Sequence, residues 1–149
     1  MNRDTLMVRL KIEEGDKLVA YFDTMGILTV GDGHNCVAKP VEGVNAPGDT
    51  ITPEQRDQLL SDDIDEAAAE LTAQLPWWTD LDDARQNVMV DLCFNMGIHT
   101  LCTFKNTLKA IQAGAYVLAV SGMKNSQWAS QVKGRAVFLE NAMLTGVYA

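Results

Sequence analysis

Between Thr52 and Pro76 the chain carries one long, unbroken helical pattern, and a rod of that length limits what the rest of a 149-residue chain can build around it. Thr52-Pro53-Glu54-Gln55 supplies a threonine cap, a proline at the first helical position and a glutamine placed to close a capping box. Leu60, Ile64, Ala67, Ala68, Leu71 and Leu75 then fall on one face, Asp62, Asp63, Asp65 and Glu66 largely on the other, and Pro76 stops the run. The spacing predicts a helix over 53–75.

Different patterns lie on its two sides. Residues 3–14 read as a short amphipathic helix with Leu6 and Leu10 inward and Gly15 as its stop. From Lys17 to Cys36, β-branched and aromatic residues punctuated by Gly26, Gly31 and Gly33 predict a small antiparallel sheet, and Val37 to Asp49 is a loop by composition. Downstream, 82–96 is apolar on more than one face, as in a helix central to a bundle. Shorter helices follow over 104–113, 116–123 and 133–144, with breaks at Gly114 and Gly146. The fold class is therefore α+β, mainly α. We expect a single domain over 1–149: a small antiparallel-sheet lobe at about 12–52, the linking helix at about 53–75, a helical lobe at about 80–149 joined by the N-terminal helix, and a cleft between the lobes.

Charge narrows the partners. Twelve Lys and Arg against twenty Asp and Glu leave a net charge of −8, which disfavours nucleic acid as a ligand. The sign is uneven: residues 1–40 balance at −1, 41–91 at −11 and 92–149 at +4, so an anionic ligand still has a place to dock on the last third. Cys36, Cys93 and Cys102 form no CxxC pair, and His34 and His99 stand at no zinc-type spacing from them. We expect free thiols, a reducing compartment during folding, and no metal or organic cofactor. No stretch has signal-peptide or membrane-span length.

Four residues are candidates for chemistry. Glu13 and Glu14 sit in the last turn of the first helix, where the macrodipole disfavours negative charge. A carboxyl held there has its proton affinity raised, as a general acid requires, although two ordinary surface glutamates fit the same pattern. Asp23 precedes a turn and is, by itself, a turn aspartate. Thr29 is a β-former in a strand.

Taken together, Glu14, Asp23, Thr29 and the Gly31-x-Gly33-His34 segment closely resemble the T4-type phage lysozymes, glycoside hydrolase family 24. The resemblance continues through Leu92-Cys93-Phe94-Asn95-Met96-Gly97, Phe104-x-Asn106-Thr107-Leu108, Ser126-x-Trp128 and Gly134-Arg135-Ala136, and covers nearly the whole chain. It implies a lysozyme-like fold and hydrolysis of the β-1,4 bond between N-acetylmuramic acid and N-acetylglucosamine in peptidoglycan. Glu14 would be the acid, while Asp23 and Thr29 would hold the attacking water, with inversion at the sugar carbon. It also implies substrate contacts at His34, Phe94, Asn95 and Thr107, with Arg135 lying against the glutamate. For His34 the bland role, pairing with Asp63 to fix a loop, is preferred. Trp77, Trp78 and Trp128 are expected to pack in or on the core. As an endolysin the protein would be a monomer made in the host cytoplasm. It would reach the cell wall once a holin-type permeabiliser opens the membrane, without stable insertion of its own.

One residue departs from the pattern. Asp32 stands where such sequences usually carry an apolar or aromatic residue, and it either adds charge near the site or points to solvent. Two rival functions remain: a non-catalytic glycan-binding or virion-structural protein of the same fold, and a lytic transglycosylase, which would need the glutamate alone.

Overall fold

The long helix runs from Pro53 to Gln74, and its capping box forms as the sequence predicts. Thr52 Oγ1 accepts from the Gln55 amide at 3.1 Å, and the Thr52 amide donates to Gln55 Oε1 at 2.8 Å. Leu60, Ile64, Ala67 and Leu71 on its apolar face are all buried. The computed structural model describes all 149 residues. In chain order they form α1 (Arg3–Glu14), β1 (Lys17–Phe22), β2 (Leu28–Gly31), β3 (His34–Asn35), α2 (Pro53–Gln74), a 3-10 turn (Pro76–Asp80), α3 (Asp83–Met96), α4 (Ile98–Thr103), α5 (Lys105–Gln112), α6 (Tyr116–Lys124), α7 (Gln127–Val132) and α8 (Gly134–Thr145). The fold is mainly helical α+β, as expected, although α4 and α7 had no counterpart among the predicted helices. With six residues each they are too short to show an apolar period.

The chain divides into two compact units. One is continuous, Met7–Glu66; the other joins Met1–Leu6 to Ala67–Ala149. The boundaries fall inside α1 and α2.

In the continuous unit the three strands are antiparallel in the order β1-β2-β3. Tyr21 faces Thr29 and Phe22 faces Leu28, but Lys17 faces Gly31, so a bulge interrupts β1. Val30 pairs with His34. The chain then returns along β1, with the Ala20 amide donating to Asp49 O at 2.7 Å and the Ile51 amide to Leu18 O at 2.9 Å. Ala20, Val30, Cys36, Val44 and Ile51 close a small core beneath this sheet.

The other unit is a helical bundle around α3, in which every residue from Asn87 to Cys93 is buried. Leu101, Ile111, Ala119, Met123, Leu139 and Met143 supply apolar packing from the remaining helices. Asp82 caps α3 by accepting from the Arg85 amide at 3.0 Å, and Ser126 caps α7 the same way on Ala129 at 3.2 Å. Trp78 and Trp128 are buried, and their indole N–H groups donate to Thr72 Oγ1 at 3.0 Å and Asn95 Oδ1 at 2.5 Å.

Candidate active site

In the continuous unit the candidate catalytic residues lie at the end of α1, in the turn after β1 and on β2. Glu13 and Glu14, alike as acids in the last helical turn, part company here. Glu13 pairs with Arg9 one turn back. Glu14, half-buried as the last residue of α1, lays its carboxyl against the turn joining β2 to β3. A side chain on Gly33 would begin 2.7 Å from Glu14 Oε2, and Gly33 also holds φ at +78°. Glycine is therefore required twice over: for the left-handed backbone and for room.

Asp23 serves two purposes through its two oxygens. Oδ1 accepts the amides of Met25 at 2.8 Å and Ile27 at 2.9 Å, which fixes the turn between β1 and β2. Oδ2 is left for a ligand or water. Thr29 is buried, and its hydroxyl donates to Ile27 O at 2.9 Å, so its oxygen remains an acceptor.

Tyr21, which sequence reasoning passed over, lies directly across from Thr29. Burial raises the proton affinity of its phenol, and the charges of Glu14, Asp23 and Asp32 raise it further. Lys17 Nζ stands 4.2 Å from the centre of the Tyr21 ring.

Asp32 does not point to solvent: it is 3% exposed, and neither carboxyl oxygen has a hydrogen-bond partner. Burial, helped by the charges of Asp16 and Asp57 and opposed by Arg56 and Lys11, raises its pKa to about 6.

His34 is fully engaged within the protein. Nδ1 lies 2.8 Å from Asp63 Oδ2 and Nε2 lies 2.9 Å from Lys39 O, while Lys39 Nζ reaches Asp63 Oδ1 at 2.9 Å and also pairs with Glu66. Both ring nitrogens face acceptors, so the doubly protonated ring is favoured and no nitrogen remains for a sugar. These partners fit the loop-fixing role preferred for His34. The hydrogen bond to Asp63 raises the His34 pKa despite burial. Burial would raise Asp63, but its bonds to His34 and Lys39 hold it below the usual range.

The sign of the linkage follows. His34 contributes stability below its ordinary value of 6.5 and loses it as pH rises through its elevated one. Asp63 contributes above 3.8 and loses it as pH falls through its depressed one. Asp63→Asn is therefore expected to cost about 3 kcal/mol near pH 5.5. The deficit narrows at pH 9 and pH 2, as thermal melts at the three pH values would show.

The helical unit holds the other candidates. Phe94 and Asn95 are half-buried near the end of α3, and Asn95 has its carbonyl oxygen committed to Trp128. Thr107 on α5 borders a groove of about 590 Å³ lined by Asn106, Lys109, Ala110, Ser121, Gly122 and Asn125. Gly122 lets α6 approach closely, since a side chain there would begin 2.3 Å from Thr107 Oγ1. Arg135, buried at the start of α8, donates through Nε at 2.9 Å and Nη2 at 2.7 Å to Asp91 Oδ1, and Tyr148 Oη donates to Asp91 Oδ2 at 2.5 Å. Asp91, fully buried, is a second residue that sequence reasoning missed.

A glutamic acid and an aspartate in one unit are the residue types that most glycoside hydrolases pair. The comparison with known proteins gives the same class. The pattern of the phage lysozyme family matches residues 11–139, and the chain belongs to that family of glycoside hydrolases. It is 30% identical to the probable T4-type lysozyme 1 of Dictyostelium discoideum over 156 residues, covering 92% of each chain. It is 35% identical to the endolysin of Salmonella phage P22 over 127 residues, covering 83% of this chain and 75% of that one. It is also 29% identical to the pre-baseplate central spike protein of Enterobacteria phage T4, where it covers 92% of its own length but spans only 27% of that protein.

Proposed function

We propose that the chain is a peptidoglycan hydrolase that cleaves the β-1,4 bond between N-acetylmuramic acid and N-acetylglucosamine, with Glu14 as acid. The observation that carries this reading is the seating of the Glu14 carboxyl on the Gly33 turn, in the same unit as an Asp23 that has one oxygen left over. Glu14 gives its proton to the leaving glycosidic oxygen as the bond to the sugar carbon breaks. Asp23 Oδ2 and Thr29 Oγ1, both acceptors, take the two hydrogens of one water and leave its lone pair for that carbon. As the new bond forms, the water's proton passes to Asp23. Inversion requires carboxyls separated by about 6.5–9.5 Å.

Phe94, Asn95 and Thr107 contact the glycan or its peptide stem in this reading, and Arg135, held by Asp91, is a supporting residue. The role that fits is lysis of a host cell by a monomeric phage endolysin. No helix is long and apolar enough to cross a membrane. Passage from the host cytoplasm to the wall through a holin-type permeabiliser belongs to this reading. The likeness to a spike protein favours a second setting, a lysozyme unit carried in a virion.

Digestion of purified Gram-negative peptidoglycan, followed by mass spectrometry of the muropeptide ends, tests the reaction. Reducing ends are expected. 1,6-Anhydro ends would make the chain a transglycosylase, and no cleavage by folded protein would make it a binding or structural one.

A further inference from the structure

Arg56, on α2, is the hub of a charge cluster in the continuous unit. Its side chain is only 15% exposed, and its guanidinium reaches Asp16 through Nη1 at 2.9 Å and Asp57 through Nε and Nη2 at 3.1 Å. Lys11 on α1 holds Asp57 as well, at 2.6 Å. The stem of Arg56 lies against the backbone of β2, since a side chain on Gly31 would begin 3.5 Å from its Cγ. The next residue along is Asp32, buried and without a hydrogen bond on either carboxyl oxygen. One guanidinium thus serves two carboxylates while a third stands close by with no partner.

Strand register sets Asp16 and Asp32 in competition. Lys17 faces Gly31 across β1 and β2, and one further step of that register brings Asp16 opposite Asp32. Like charges so placed repel. Their surroundings differ: the Asp16 side chain is 43% exposed and water can take up its charge, whereas Asp32 is sealed in. An exposed ion pair adds little stability, but a buried charge without a partner is costly. Once both are ionised, Arg56 therefore does more for Asp32 than for Asp16. Asp16 also has strain to shed. It holds φ at +50°, directly after Gly15 at +96°, and a non-glycine residue stays in that left-handed region only when its contacts keep it there.

We propose that Asp32 is the trigger of a pH-dependent latch at the join between α1 and β1: with Asp32 protonated, Arg56 clasps Asp16 and holds the join, and with Asp32 ionised, Arg56 transfers to Asp32 and the join is released. The proton goes to solvent and no covalent bond changes. The groups that face Asp32 are Lys11 on α1, Asp16 in the join, Arg56 and Asp57 on α2, and Tyr21 on β1, whose phenol feels its charge. Burial and then Asp16 raise the Asp32 pKa, Arg56 and Lys11 oppose them, and Asp57 adds to the rise, which ends at about 6. The closed form therefore draws stability from a protonated Asp32. That contribution is complete below the ordinary value of 3.8 and is lost as pH rises through about 6.

The test is an NMR titration of the full chain from pH 4 to pH 8 in wild type and Asp32→Asn, following the Asp32 carboxyl carbon, the Arg56 Nε, the Asp16 amide and the His34 ring. In wild type the Arg56 and Asp16 signals are expected to move with the midpoint of the Asp32 carboxyl, near pH 6. In Asp32→Asn both should stay flat, and the Asp16 and Lys17 amides should exchange with solvent about fivefold more slowly than in wild type at pH 7.5. His34 titrates in both proteins, so movement that follows its ring is separable from movement that follows Asp32. Ionisation of Asp32 with Arg56 and Asp16 unmoved overturns the proposal, and so do the same movements in Asp32→Asn. If that variant does not fold, the wild-type midpoints decide: shifts that track the His34 ring instead of the Asp32 carboxyl remove the latch. None of these signals needs peptidoglycan, so the outcome is independent of whether the chain is a hydrolase.

Discussion

Glu14→Gln is expected to lower the turnover of peptidoglycan by about 10²–10⁴-fold while leaving the melting temperature near that of wild type. The amide keeps the size of the carboxyl and its place against Gly33, but it has no proton to give to a leaving alkoxide. A sugar leaving group that must depart unprotonated carries most of the barrier, so the loss falls on kcat, with KM little changed. Turnover assays on defined muropeptides, paired with thermal melts, check both halves. Activity within tenfold of wild type would show that another group supplies the proton.

Gly33→Ala should be nearly as damaging, for a reason written in the backbone. The new Cβ would begin 2.7 Å from Glu14 Oε2, and φ is +78° at this position, so both the turn and the carboxyl must move. Displacement of a reacting group by about 1 Å costs on the order of 10²-fold in rate. Gly26→Ala is the control. Its φ is +75°, yet nothing lies within 4 Å of the added carbon. Both variants carry the left-handed penalty of roughly 1–2 kcal/mol, but only Gly33→Ala should lose activity beyond that loss of stability. Equal activities in the two would mean that the Gly33 turn does not seat the acid.

How far these features could be read in the sequence depends on how far apart the partners lie. Helices α1, α2 and α3 end within a residue or two of their predicted limits because caps, prolines and periodicity are local signals. Glu14 and Asp23 were legible as a spaced set, and the Asp23 turn bonds to Met25 and Ile27 are local as well. Burial of Asp32 was not legible. A lone acid between two glycines looks like a solvated turn until Arg56 and Asp57, more than twenty residues on, close beside it. Asp91 stayed hidden for the same reason, since its partners Arg135 and Tyr148 come 44 and 57 positions later.

The division of the chain has a kinetic meaning. Met7–Glu66 is one uninterrupted stretch, whereas the helical unit draws Met1–Leu6 from the far side of it, with the Asn2 carbonyl taken up by Asn87 at 2.9 Å. Bringing those six residues home closes a loop of about 60 residues, an entropic cost of about 3–4 kcal/mol for a flexible chain. If the continuous unit forms first, it shortens that loop and lowers the cost, so order in one unit speeds completion of the other. An amphipathic α1 that belongs to both units is then a folding clasp as well as the carrier of Glu14. Mutations near Leu6 should slow refolding without touching the chemistry.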